Sequence, residues 1–265
     1  MNEYSKEHLA YLKKQKANAV LVHILRVGLL LLLLGAWELS AQLEWVNPFI
    51  TSSPSRIALC IADLYRNGSL FYHIGTTLWE TMLGFFVAVL MGFALALLLW
   101  WSERVRKVLE PYIVVLNALP KIALGPLIII WCGTGSRAIV LMTILVSLIV
   151  ATMNLLNGFL STDKSKLLLL QSMGATHLQV LTKLVLPSSL PSVISMLKIC
   201  VGMAWIGSIM GEYIVSKAGL GYLIVYGGQV FKLDLVMSAT VILCALAGGM
   251  YAVVAWIEKK TVRAS

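Results

Sequence analysis

Apolar residues run along this chain in long blocks, separated by shorter polar stretches. The hydrocarbon core of a bilayer takes about 20 mostly apolar residues as helix. Six blocks meet that length, at about 21–41, 77–101, 108–131, 137–157, 190–211 and 234–256. Each predicts a helix, because backbone in lipid must satisfy its own N–H and C=O groups. The second block ends in Trp100 and Trp101, which suit a membrane interface. The third is broken by Pro120 and Pro126, neither of which can donate a backbone hydrogen bond.

Two of the intervening stretches carry patterns of their own. Between residues 42 and 75, "NPFITSSPSRI" is rich in turn formers, and "RIALCIADLYRNG" reads as a short amphipathic helix ended by Asn67-Gly68. Between residues 158 and 189, two short helical stretches flank Gly174. In the second, Leu178, Leu181, Leu184 and Val185 share one face, and His177, Gln179, Thr182 and Lys183 the other. Gly174 permits either a sharp turn or the close approach of another backbone. Pro187 and Pro191 then end the segment and open the fifth span, since proline suits a first helical turn. Periodicity alone leaves two readings: a helix lying on the membrane surface, or one that fits a groove on a soluble partner.

Composition fixes the class. Of 265 residues, 59% are hydrophobic and 12% charged, with mean hydropathy +0.88. Soluble domains carry roughly a quarter charged residues, so this is an all-α polytopic membrane protein with about six transmembrane helices. Residues 1–20 form an N-terminal segment, 21–256 a single membrane domain and 257–265 a tail. The basic stretch before the first block is laid out like a signal peptide, but no small-x-small site follows; it reads as an uncleaved first span.

The net charge of +9 could suggest nucleic acid; its placement says otherwise. With the N-terminus inside, Lys6, Lys13, Lys14, Lys16, Arg26, Arg104, Arg106, Lys107, Lys164, Lys166, Lys183, Lys259, Lys260 and Arg263 all fall on the inner side. Only Arg56, Arg66, Arg137, Lys217 and Lys232 fall outside. That asymmetry predicts both termini in the cytoplasm, and an attraction to anionic lipid. No P-loop, H-E-x-x-H or clustered Cys/His set exists, so the chain is expected to bind no ATP or metal and to be no enzyme. Cys60, Cys132, Cys200 and Cys244 read as reduced structural thiols.

Ionisable residues inside spans are functional hypotheses by default. Lys121, beside Pro120 in the broken third span, is the stronger, because a cation at freed carbonyls would favour an anionic solute. Lys198 in the fifth span either snorkels or serves the pathway. Glu38, Glu80 and Glu212 are expected to snorkel to the outer interface. Gly207-x-x-x-Gly211 permits close packing, within the chain or in a dimer, and Gly202 and Gly207 could leave room for solute. Gly219 and Gly221 read as an outer turn.

The spacing Gly174, nine residues, Leu184, one residue, Leu186-Pro187 resembles the cytoplasmic loop signature of bacterial ATP-binding-cassette importer permeases. That family's pattern is Glu-Ala-Ala, three residues, Gly, nine residues, Ile, one residue, Leu-Pro. "SSPSRI", "GTTLWETMLGFFVAVLMGFALALLLWWS", "LNALPKIALGPLIIIWCGTGSRA" and "GMAWIGSIMGEYIVSKAGLGYLI" are similar to the nitrate/sulfonate/taurine subfamily. The resemblance implies the type I importer permease fold and a bacterial cytoplasmic membrane. It implies a second permease copy, two ATPase subunits that use the ATP, and an extracytoplasmic solute-binding protein. It assigns ATPase coupling to Leu168, Leu169, Leu170, Gly174, Ala175, Leu184, Leu186 and Pro187. Here Leu168, Leu169 and Leu170 replace Glu-Ala-Ala, so the acidic residue is missing. The implied solute is a small anion such as a sulfonate, taurine or nitrate. Two rivals stay open: a gradient-driven transporter, which would need a carboxylate or unwound ion site at the midplane, and a scaffold without transport.

Overall fold

A computed structural model describes residues 6–262, and the expectations for residues 1–5 and 263–265 lie outside the described residues. Among the described residues, every regular element is a helix. Helix α1 spans Lys6–Gln42, and its apolar part from Val20 onward is long enough to cross a membrane. Its side chains there are almost entirely exposed, as suits a lipid-facing helix. Two short helices follow, α2 (Pro48–Thr51) and α3 (Pro54–Arg66), the latter ending at Asn67.

Three long helices carry the core: α4 (Ser69–Trp101), α7 (Ser136–Leu160) and α11 (Leu190–Val215). Helix α7 lies between the other two, and small residues set the distance. A Cβ added at Gly84 of α4 would come within 2.5 Å of the Thr143 side chain, and one at Gly207 of α11 within 2.6 Å of the Thr143 Cα. Gly92 packs on Ala151 and Gly211 on Ile139 in the same way. The Gly207-x-x-x-Gly211 motif is therefore spent on packing inside the chain. Gly207 is closed off by α7 and leaves no room for solute there, whereas Gly202 faces open space.

The third span is not one helix. Helix α5 (Glu103–Ala118) stops before Pro120, a 3₁₀ turn covers Lys121–Leu124, and α6 (Gly125–Cys132) follows. The two arms meet at 88°. The break falls at Leu119–Pro120, where the residue before proline is extended. Pro126 causes no second break, because it sits in the first turn of α6, where a missing N–H costs nothing. The last helices are α12 (Leu220–Gln229) and α13 (Leu233–Val262). Five helices, plus the bent pair counted as one, reproduce the six blocks read from hydropathy.

Candidate functional site

Four helical pieces build the loop that joins α7 to α11: α8 (Lys164–Ser172), α9 (His177–Val180), a π turn at Leu181–Val185, and α10 (Leu186–Ser188). Asp163 caps α8 by accepting from the Ser165 N–H at 2.8 Å. Gly174 then ends α8 in the left-handed region, with φ +77° and nothing crowding it, so it makes the turn rather than a close contact. The Ala175 N–H reaches back to the Leu170 carbonyl and the Gly174 N–H to Gln171, each at 3.0 Å. This pairing is the Schellman C-cap. A capping box starts α9: the Thr176 N–H donates to Gln179 Oε1 at 2.8 Å, and the Gln179 N–H to Thr176 Oγ1 at 3.3 Å.

Helices α8 and α9 treat their leucines differently. Leu168 and Leu169 stand 66% and 60% exposed, beside Met173 at 74%. Leu167, Leu170 and Ala175 turn inward against the core. The face predicted for the second stretch is corrected at one end: Leu178 is 59% exposed, and the buried set is Val180, Leu181 and Val185, with Leu184 half-buried. The π turn is the reason. Pro187 cannot bond its i−4 carbonyl and its ring crowds that turn. One extra residue is accommodated, the Leu186 N–H reaching to Leu181 O, and the face rotates. Leu186 packs on the core and Pro187 is exposed.

Of the two lysines read as pathway residues, each has a protein partner. Lys121 lies half-buried at the 88° bend, and its Nζ donates to the Asn117 carbonyl at 3.0 Å and lies 3.5 Å from Asn117 Oδ1. It thus serves the C-terminal end of α5, where carbonyls lack helical partners and a cation is favoured. Lys198 pairs with Glu258 of α13 at 2.5 Å, with Tyr251 beside it. The two lysines are on different elements and share no partner. Pro120 is exposed next to Lys121, and Pro126 is exposed on α6.

The opposite end of the bundle holds a polar junction that sequence reading missed. Glu80 and Glu212 do not snorkel to an interface: each is 1% exposed, between α4, α7 and α11. The Glu80 carboxyl lies against that of Glu212 and within reach of Ser136. Glu212 Oε2 accepts from the Gly221 N–H at 2.6 Å. Thr77 Oγ1 accepts from the Leu220 N–H at 2.7 Å, and His73 Nδ1 from the Gly219 N–H at 3.0 Å. Side chains of α4 and α11 thereby satisfy the orphan donors that begin α12. Gly219, with φ +109°, and Gly221 are glycine because a Cβ at either would meet the Glu212 carboxylate. The signal lay in the sequence as two acidic residues within apolar blocks and a Gly-x-Gly; their pairing needed the fold.

At the same end, "SSPSRI" is tied to α13. Arg56 donates to Asp234 through Nη2 at 2.7 Å and Nε at 3.1 Å, and Ser52 Oγ donates to its other oxygen at 2.7 Å. Glu38 is half-buried and caps the start of α3 by accepting from the Ser55 N–H at 3.0 Å.

Known proteins are similar to this chain in sequence and fold. The chain matches the family described as "Binding-protein-dependent transport system inner membrane component" over residues 84–263. It is 35% identical over 193 residues to the formylaminopyrimidine transport permease protein ThiX of Halalkalibacterium halodurans, covering 72% of this chain and 76% of that one. It is 29% identical over 228 residues to the taurine transport system permease protein TauC of Escherichia coli, covering 84% and 83%. Its fold is that of a chain in the crystal structure of a bacterial alginate ABC transporter bound to a periplasmic protein, with TM-score 0.64, 15% identity and 94% of each chain covered. These proteins are transport components rather than enzymes. With its bundle of membrane-spanning helices and its match over more than half its length, the chain belongs to the family of membrane-spanning permease components of binding-protein-dependent ABC importers.

Proposed function

We propose that two copies of this chain form the translocation pathway of an importer for a small anionic solute, such as a sulfonate, taurine or nitrate. The observation that carries this reading is the exposed break in the third span. Leu119, Pro120, Ile122 and Ala123 are all exposed in the single chain. Irregular backbone at membrane depth is tolerated where protein covers it or where it lines water. A lipid-facing position for this 88° bend is therefore disfavoured, and a second copy or an aqueous path beside it is favoured. Lys121 and Pro120 at the bend, with the open face at Gly202, then form the pathway side. The neighbouring ammonium suits an anion.

Two ATPase subunits supply the energy from below, each seated on the 164–187 segment; the chain itself holds no nucleotide. The exposed Leu168, Leu169, Met173 and Leu178 give that seat an apolar surface in place of the family's acidic residue. ATP binding draws the two segments together and turns the pathway outward, and hydrolysis resets it. Physically, this is a two-state equilibrium biased by differential binding. An extracytoplasmic binding protein delivers solute at the end that bears α3 and α12. Both termini lie in the cytoplasm of a bacterial cell, by the distribution of Lys and Arg.

The test is reconstitution with the cognate ATPase and binding protein, screening taurine, alkanesulfonates and nitrate for stimulated ATP hydrolysis. Stimulation by one of these anions is expected, and is weakened at least tenfold by Lys121→Glu. Transport by the purified chain without a second polypeptide would sink the proposal.

A further inference from the structure

The α8–α9 loop touches the membrane bundle through one contact that neither hydropathy nor the loop signature singles out. The His177 ring, at the start of α9, lies 5.3 Å from the Trp100 ring and 5.3 Å from the Trp101 ring, at interplanar angles of 44° and 68°. The tryptophans are themselves in edge contact, at 6.4 Å. Edge-to-face arrangements at such separations are attractive and directional. Trp100 packs onward against the buried core, so the clasp rests on a rigid base. The other partner is also held: the Schellman cap at Gly174 and the Thr176–Gln179 capping box fix where α9 begins.

The position of the clasp gives it meaning. Trp100 and Trp101 are the last residues of α4, and Ser102 immediately caps α5 by accepting from the Val105 N–H at 3.4 Å. The corner they occupy is thus the root of the broken span. The tilted and edge-on rings join α9 to that corner, from which α5 runs to the bend at Pro120. The apolar anchors of this segment, Val180, Leu181 and Val185 with Leu167, Leu170, Ala175 and Leu186 beside them, bury into or pack on the same core cluster as Trp100. We propose that His177 is a positioning residue that couples movement of the α8–α9 segment to the α4–α5 corner. The inference rests on the reading that an ATPase seats on this segment.

The experiment uses the full complex of permease and ATPase, with Cys60, Cys132, Cys200 and Cys244 replaced by alanine and a spin label at Val115→Cys on exposed α5. The label-to-label distance across the two copies is measured before and after Mg-ATP with vanadate. The parent shows a distance shift. His177→Ala loses at least half of it, measured on complexes that have retained the ATPase, and His177→Phe, which keeps a ring, restores it. Trp101→Leu, which changes the other side of the clasp, reproduces the loss. An unchanged shift in His177→Ala or in Trp101→Leu overturns the inference and leaves the functional reading intact. Failure of the parent to retain the ATPase overturns both.

Discussion

The two ends of the bundle are built on opposite plans. At the loop end, polar groups are satisfied locally: Asp163 with Ser165, Thr176 with Gln179, and Gly174 in its own C-cap. Apolar side chains there point outward at Leu168, Leu169 and Met173. At the far end, polar groups pair over long range, His73 and Thr77 with the start of α12 and Arg56 with Asp234, and the acids Glu80 and Glu212 are buried, each with one carboxylate oxygen left without a hydrogen-bond partner. A surface with capped helices and exposed leucines can dock and release a partner without unfolding. A buried polar junction cannot change one member without disturbing the rest. On the proposed function, the loop end is the one that docks a partner and the far end is the one that holds the bundle.

Substitutions separate the two plans. The largest effect is expected at the far end. Gly219→Val combines a left-handed φ with collision against the Glu212 carboxylate, and should cost more than about 4 kcal/mol, the range in which single changes become diagnostic. Size-exclusion chromatography in detergent should show aggregate in place of a monodisperse peak; a normal peak would show that the junction is looser than described. Next, Leu168→Asp with Leu169→Asp should leave the unfolding midpoint within the equivalent of about 0.5 kcal/mol, as for exposed positions. The same double variant should lower ATPase copurification at least tenfold. Stable variants that still hold the ATPase would move the seat elsewhere.

A loss of stability smaller than that of Gly219→Val is expected for Glu212→Ala. It strips the Gly221 N–H of its acceptor, worth about 1–3 kcal/mol when a buried donor is left unpaired. Hydrogen exchange should then rise at the start of α12 before it rises in α7. Smallest is Thr176→Ala, which removes the capping box and should cost about 1 kcal/mol. Its signature is fraying of α9 with the bundle unchanged. Equal thermal losses for Glu212→Ala and Thr176→Ala would erase the distinction between the ends.

Much of the site was legible because its signals are local. Gly174 before a Thr-x-x-Gln box marks a helix end and a helix start within three residues, and Pro120 marks a break. The register of the second stretch was not legible. Leu178 fits a 3.6-residue period, and only the π turn ahead of Pro187 takes it out of the buried face. His177 looked like one polar residue among several; its ring contacts are with two tryptophans 76 and 77 positions earlier, Trp101 and Trp100.

The sequence by itself determined the class, the six apolar blocks and the span that is broken, although it offered Pro120 and Pro126 alike and the structure breaks only at Pro120. Apolar run length against bilayer thickness and the chemistry of proline act without any knowledge of neighbours. Only the tertiary structure decided which charges pair. Glu80 meets Glu212, Lys198 meets Glu258, and Gly207 meets Thr143 because α4, α7, α11 and α13 pack in one particular order. Hydropathy cannot carry that order, since every helix that crosses lipid is apolar on all its faces, and the few small and polar residues acquire their meaning from whatever lies opposite.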